Sequence, residues 1–205
     1  SASRGTLIHD ALDRFFRELK QIGRPGTREP WGPEDEARLL VIGGEELDKA
    51  RDRGITGLDV FGRHEARTIR TDLSRFLEED YTFRLDTGAV PTHFESAVAE
   101  PEIAGVRLRG NVDRIDITPD GQRAWVIDYK TGSAYDFKKI TDDDPLAGGK
   151  KLQLPTYLAA VPDVPDASAV YWFITRKGEF KRIPYNPTAE NQELFRKTVE
   201  AVVAG

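Results

Sequence analysis

Residues 111–132 read NVDRIDITPDGQRAWVIDYKTG, and their pattern sets the expectation for the rest of the chain. Apolar and polar residues alternate up to Ile117 and again from Arg123 to Lys130, as they do in strands that present two different faces. Between the runs, Thr118-Pro119-Asp120-Gly121 has turn chemistry: Pro fixes φ, Asp bonds its own backbone and Gly accepts positive φ. The stretch therefore predicts a β-hairpin. Asp128 and Lys130, two apart on one strand, project from the same face. Asp113 and Asp116 lie on opposite faces of the other strand, so only one of them can join Asp128. A three-residue loop with Gly121 as a bulge would pair Thr118 with Gln122 and Asp113 with Ile127, which turns Asp113 away. A one-residue shift or a bulge, setting Val126 opposite Asp113, would bring it beside Asp128. Turn chemistry leaves both registers open.

Upstream of the hairpin the period is helical. Residues 5–20, GTLIHDALDRFFRELK, carry one apolar stripe of Leu7, Ile8, Ala11, Leu12, Phe15, Phe16 and Leu19, with His9 at its edge. A loop follows, then a helix from about Glu34 to Arg51 with Ala37, Leu40, Val41 and Leu47 as apolar positions and an interruption at Gly43-Gly44. Residues 52–60 read as irregular, and 61–80 as a third helix turning Phe61, Ile69, Leu73, Phe76 and Leu77 inward. From Pro91 the period becomes two. His93–Glu100 is a candidate strand, and Val106–Ile117 is the first hairpin strand. Residues 133–149, polar and acidic, predict a flexible loop, a lid or a disordered segment. Lys150–Val161 predicts a short helix, Ala169–Thr175 and Phe180–Tyr185 a second hairpin, and 188–203 a closing helix. Helices first, then a mostly antiparallel sheet crossed by a helix, give an α/β sandwich-like core.

Composition excludes several classes of function. With 32% charged and 39% hydrophobic residues the chain is an ordinary globular one. No apolar run approaches the length that spans a bilayer, and no signal peptide is visible. The absence of cysteine rules out disulfides, thiolate catalysis, zinc–thiolate sites and a cysteine-ligated iron–sulfur cluster within this sequence. Methionine is absent even at position 1, as expected of a piece of a longer protein. The net charge of −5 has the wrong sign for a general nucleic-acid binder, although a local basic stripe would suffice for a phosphate track. Basic residues gather at Arg107/Arg109, Lys138/Lys139, Lys150/Lys151 and Arg176/Lys177/Lys181/Arg182.

Four short patterns occur in order: G-x-x-x-H (5–9), G-x-V-D-R-I-D (110–116), I-D-Y-K-T-G (127–132) and Q-x-x-x-Y (153–157). Each is weak alone; together they are specific. Asp113 with Asp128-Tyr129-Lys130 resembles the PD-(D/E)xK nuclease superfamily, and the flanking patterns resemble its RecB-like branch. That branch supplies the nuclease domains of the RecBCD, AddAB and AdnAB helicase–nucleases and of CRISPR-associated relatives. The resemblance implies a restriction-endonuclease-like α/β core: a mixed central sheet flanked by helices, with residues 1–85 helical, 91–185 forming the sheet core and 188–203 closing a single domain of 1–205. It implies a site in which Asp113, Asp128 and Lys130 are catalytic. His9, Asp113, Asp128 and the Tyr129 backbone carbonyl would be ligands to Mg²⁺ or Mn²⁺. Gln153, Tyr157, Lys150 and Lys151 would contact DNA or support the site. Glu95, from the preceding strand, is a further candidate that also reads as a surface glutamate. The resemblance also chooses Asp113 over Asp116.

The function so implied is metal-dependent hydrolysis of DNA, with single strands as substrate. It would belong to a repair and recombination helicase–nuclease inside a bacterial or phage-infected cell, in the cytoplasm, with a helicase domain or subunit as partner. Some members of the branch carry a cysteine-ligated iron–sulfur cluster, for which no ligand exists here. Two other readings stand beside this one. An inactive nuclease-fold module for DNA binding or docking has no need of Lys130; a stand-alone nuclease of CRISPR or phage type fits less well with the missing start methionine, and the parent reading frame would decide.

Overall fold

A computed structural model describes residues 2–52, 59–97, 101–161 and 164–204. In chain order the elements are α1 (Ala2–Gln21), α2 (Pro33–Asp52), α3 (Asp59–Thr87), β1 (Val90–Ala97), β2 (Glu102–Ile103), β3 (Val106–Arg107), β4 (Asn111–Ile117), β5 (Arg123–Lys130), α4 (Gln153–Leu158), β6 (Asp166–Phe173), β7 (Arg182–Tyr185) and α5 (Ala189–Ala204). The quoted hairpin is β4–β5, and β5 is the middle strand of a five-stranded sheet ordered β1-β4-β5-β6-β7. Neighbours pair antiparallel, apart from β5 and β6, which run parallel. Parallel partners cannot be joined by a tight turn; the long connection from 131 to 165, which contains α4, makes the crossover. The sheet is therefore mixed.

β5 is covered on both faces, which is why Ala124 to Tyr129 reads as a nearly continuous apolar run. Ile127 and Tyr129 face a core built by α1–α3, with Ile8, Leu12, Phe15, Phe16, Phe76 and Trp172. Val126 faces a second core with Leu154, Tyr157, Tyr171, Phe195 and Val199. The α1 stripe falls as its period predicts. Ile8, Leu12 and Phe15 are 0% exposed, each contributing about 1.5–3 kcal/mol through burial.

Several expectations are corrected. Gly43-Gly44 does not interrupt α2; a Cβ at Gly43 would stand 2.8 Å from Leu73 Cδ1, so the glycine lets α2 approach α3. Leu39 and Ile42 face the core, while Val41 and Ala37 are exposed. α3 starts before residue 61 and ends past 80; the irregular stretch and the inward Phe61 side chain fall outside the described residues. The 106–117 run is broken. Val106–Arg107 pairs with Glu102–Ile103 in a separate ribbon, and at Gly110 a Cβ would meet the Tyr157 ring at 2.5 Å, so the backbone there lies flat against that ring. The candidate strand at 93–100 begins earlier, at Val90; its residues 98–100 are not described. The helix expected over 150–161 is confined to Gln153–Leu158. The 133–149 loop is tied down rather than free. Leu146 and Ala147 are buried, and Phe137 packs edge-on against Tyr171 and Phe173. No helix among the described residues is long and apolar enough to cross a membrane.

Beneath the sheet lies a charged cluster that ties α3 to β4. The Arg114 guanidinium donates to both oxygens of Asp116 (2.5 Å each), to Asp80 Oδ1 (2.6 Å) and to the Tyr129 hydroxyl (3.3 Å). Arg84 Nε and Trp31 Nε1 each donate to Asp80 Oδ2 at 2.9 Å. Two guanidiniums and two carboxylates, each at most 1% exposed, balance in charge, which is the condition for burying them at all. Asp116 thus faces away from Asp128, as strand alternation requires.

Candidate metal centre

The hairpin register decides whether Asp113 reaches Asp128. Pairs run from Ile117↔Ala124 to Arg114↔Ile127. Thr118 N–H donates to Arg123 O at 2.9 Å, closing a four-residue connection, Pro119–Gln122. A shift from the simple register is therefore present, in the direction opposite to the one that sets Val126 across from Asp113. Continued by one pair, the register places Asp113 across from Asp128. There the ladder opens: the Tyr129 N–H is taken by Asp113 Oδ2 (2.6 Å), so the side chain of Asp113 wedges between the strands. Its other oxygen, Oδ1, lies 3.1 Å from His9 Nδ1. His9 comes from the edge of the α1 stripe and is seated edge-on against the Tyr129 ring at 5.8 Å between centroids.

Glu95 completes the row. Its neighbours pair as Phe94↔Arg114 and Ser96↔Val112, which sets Glu95 beside Asp113. Its backbone sits at φ +40°, a conformation that costs a non-glycine residue about 1–3 kcal/mol and that clusters at functional sites. His9, Glu95 and Asp113 each offer a ligand atom, and these atoms lie within 4.8 Å of one another. Across three adjacent strands the chain thus presents Glu95, Asp113 and Asp128 in a line, with an imidazole above.

Asp128 is 4% exposed and ion-paired with Lys130 Nζ. The same ammonium donates to Gln153 Oε1 at 3.0 Å and lies 5.2 Å from the centroid of the Tyr171 ring. Gln153 Nε2 in turn reaches the Tyr157 hydroxyl at 3.5 Å. The i, i+4 spacing of Gln153 and Tyr157 on α4 puts both on the face turned to β5.

The electrostatics are those of a crowded anionic site. Burial, then the neighbouring Asp113 carboxylate, pushes Glu95 up to about 7, with His9 opposing. Burial also raises Asp128, against the pull of Lys130. His9 is lowered by burial, but the bond to Asp113 and the nearby Asp113, Glu95 and Asp128 charges outweigh that and raise it. Carboxylates held back from ionising by burial, with a neighbouring carboxylate adding to it, are groups that a divalent cation relieves. Two carboxylates, Glu95 and Asp113, and one imidazole form a donor set for Mg²⁺ or Mn²⁺, the imidazole favouring Mn²⁺; Asp128, across from Asp113 in the continued register, lies outside that close group and is paired with Lys130. The residues present fit such an ion.

Not every sequence candidate joins the site. Tyr129 places its backbone there, but its ring fills the core on the α1–α3 side. Lys151 lays its ammonium 3.6 Å from the centroid of the Phe137 ring, and Lys150 is exposed. Lys181 pairs with Glu179 and Arg182 with Asp86, so the basic groups do not form one stripe. Glu95, which also read as a surface glutamate, stands with His9 and Asp113, and Tyr171, which no sequence pattern singled out, faces the Lys130 ammonium. A Cβ at Gly5 would stand 3.0 Å from Thr131 Oγ1; with Gly110 beneath Tyr157, the glycines of two motifs let α1 approach the end of β5 and α4 the start of β4. Their recurrence beside His9 and Asp113 was the available signal.

Comparison with known proteins gives the family. The whole chain, residues 1–205, matches the PD-(D/E)XK nuclease superfamily. It belongs to that superfamily. It is also 27% identical over 167 residues to a subunit of the ATP-dependent helicase/deoxyribonuclease of Lachnoclostridium phytofermentans, over 78% of this chain and 13% of that relative. The mixed sheet flanked by helices is the restriction-endonuclease-like fold of PD-(D/E)XK nucleases.

Proposed function

We propose that this nuclease-fold domain hydrolyses phosphodiester bonds of DNA with a divalent cation, Mg²⁺ or Mn²⁺, held by His9, Glu95, Asp113 and Asp128. The observation that carries the reading is the pairing of the Glu95–Asp113–Asp128 row with a lysine whose ammonium is fixed on three sides, by Asp128, Gln153 and Tyr171. A divalent cation bound there supplies charge neutralisation at the scissile phosphate and activation of the attacking water. The protein's own part is positioning. Asp113 is fixed by the Tyr129 N–H and His9, so its carboxylate is preorganised. Lys130 directs its ammonium at the site, where it orients the water and stabilises developing charge on the phosphate oxygens. Gln153, restrained by Tyr157, keeps Lys130 from collapsing fully onto Asp128.

The finer reading is that residues 1–205 act as one nuclease domain of a bacterial repair and recombination helicase–nuclease, working on single strands as an exonuclease beside a helicase partner. The relative's name and the domain-sized match to it support this. The test is cleavage of end-labelled single-stranded DNA in Mg²⁺ or Mn²⁺. Asp128→Ala and Lys130→Ala are each expected to reduce the rate by at least about 10²-fold while leaving the fold intact by circular dichroism. Cleavage that persists in chelator, or in both variants, overturns the reading.

A further inference from the structure

At the C-terminal edge of the sheet, outside the metal centre, one carboxylate holds two guanidiniums. Asp72 of α3 is 1% exposed. Its Oδ2 accepts from Arg4 Nη2 at 2.5 Å, and its Oδ1 accepts from the backbone N–H of Arg176 at 3.1 Å and from Arg176 Nε at 3.3 Å. Neutralising a buried aspartate takes one guanidinium; the second leaves a surplus positive charge. That surplus faces solvent: the Arg176 side chain is 56% exposed and that of Arg4 25%. Among the described residues the terminal nitrogens of Arg176 and Nη1 of Arg4 make no hydrogen bond.

The pair stands next to the proposed catalytic strand. Gly5, beside Arg4, packs against Thr131, the residue after Lys130. Thr175, beside Arg176, donates its hydroxyl to Thr131 O at 3.2 Å. The Ile174 N–H donates to Lys130 O at 2.9 Å. Arg4 lies five residues before His9 on α1, about 7.5 Å along the axis. The turn that carries Arg176 is fixed from below, since a Cβ at Gly178 would stand 2.6 Å from Phe173. Two forked donors with free terminal nitrogens, on a rigid base beside the β5 terminus, match the geometry that takes up a phosphate.

We propose that Arg4 and Arg176 form a second phosphate-binding subsite, gripping a backbone phosphate of the DNA strand next to the scissile one. This rests on the nuclease reading and assigns part of the strand's path: over the ends of β5 and β6, on the α1 side. The contact uses the surplus charge and leaves the Asp72 pair in place.

The test is equilibrium binding of a fluorescent single-stranded oligonucleotide by anisotropy, with chelator present so that nothing is cleaved, over a range of salt. Arg176→Ala and Arg4→Gln are each expected to weaken binding about 5- to 10-fold at low salt. Each should also lower the slope of log affinity against log salt by about 0.7, the value for one phosphate on a single strand. The double variant should lose no more slope than either single one, because both residues hold the same phosphate. Arg176→Gln, whose amide can still donate to Asp72, gives the same result if Arg176→Ala fails to fold. Turnover of a thymidine 5′-nitrophenyl phosphate ester, which leaves the subsite empty, should be unchanged in folded variants. A wild-type protein that binds and cleaves DNA, with variants of unchanged slope, overturns the subsite alone. A wild-type protein that neither binds nor cleaves overturns the nuclease reading beneath it.

Discussion

Replacing Glu95 by Gln separates the cost of assembling the metal centre from its benefit. Glu95 is held at about 7 by burial and by Asp113, against about 4.3 for a free glutamate. Between those values the unfolded chain gives up the proton and the native state keeps it. The native state therefore binds more protons, and its stability falls as pH rises through that window. His9 acts in the same direction: its raised value gives stability that is full below about 6.5 and is lost as pH passes its folded value. Ionising Glu95 in place corresponds to about 4 kcal/mol as an upper bound, and to about 1–3 kcal/mol once solvent screening of this half-buried group is allowed for. In chelator at pH 8, Glu95→Gln is therefore expected to be more stable than wild type by about 1–3 kcal/mol, and the gap should close by pH 4.5. Saturating Mn²⁺ should reverse the order, since a ligand at 100 times its Kd adds about 2.7 kcal/mol to the protein that binds it. Urea unfolding at the two pH values, with and without metal, measures all four quantities. A variant less stable than wild type at pH 8 in chelator, or a gap independent of pH, would refute the reasoning.

Two further substitutions test the supports of the site. Gly110→Ala drives a methyl into the Tyr157 ring, 2.5 Å from its Cε1; a loss of about 1–3 kcal/mol is expected, together with lower activity, because Tyr157 restrains Gln153 and so Lys130. A thermal melt and a cleavage assay on the same preparation check this, and unchanged values in both would show that the contact is dispensable. Arg114→Met leaves Asp80 and Asp116 buried with one guanidinium between them, and about 3–5 kcal/mol should be lost. A urea midpoint close to wild type would mean the charged cluster contributes little.

Much of the architecture was legible because the sequence pattern and the burial share a cause. The α1 stripe, the alternation along β4 and the apolar run of β5 follow from which faces are covered. Asp128 and Lys130 were legible for the same reason: charges inside an apolar run need partners or a function. The register was not, because Thr118 to Gln122 suits a three- or a four-residue connection; the four-residue one forms, and Asp113 then takes the Tyr129 N–H. Glu95 was hidden because it meets His9 and Asp113 only through the pairing of β1 with β4, which nothing around it in sequence announces. The glycines at 43, 5 and 110 illustrate a third case. Each looks like a break or a motif letter, and each marks where another side chain packs tightly, at 43 and 110 too tightly for a Cβ. The Asp72 pair joins residues 4, 72 and 176, a separation beyond any local pattern.

The central claim is that the Glu95–Asp113–Asp128 row with His9 is built around a divalent cation. Anomalous diffraction from crystals soaked in Mn²⁺ tests it most directly. The expected result is a peak within about 2.0–2.4 Å of His9, Asp113 and Asp128, with Glu95 a direct or water-bridged ligand, and no peak in Asp113→Asn crystals treated alike. Wild-type crystals with no manganese at these residues, at a concentration that supports cleavage, would contradict it.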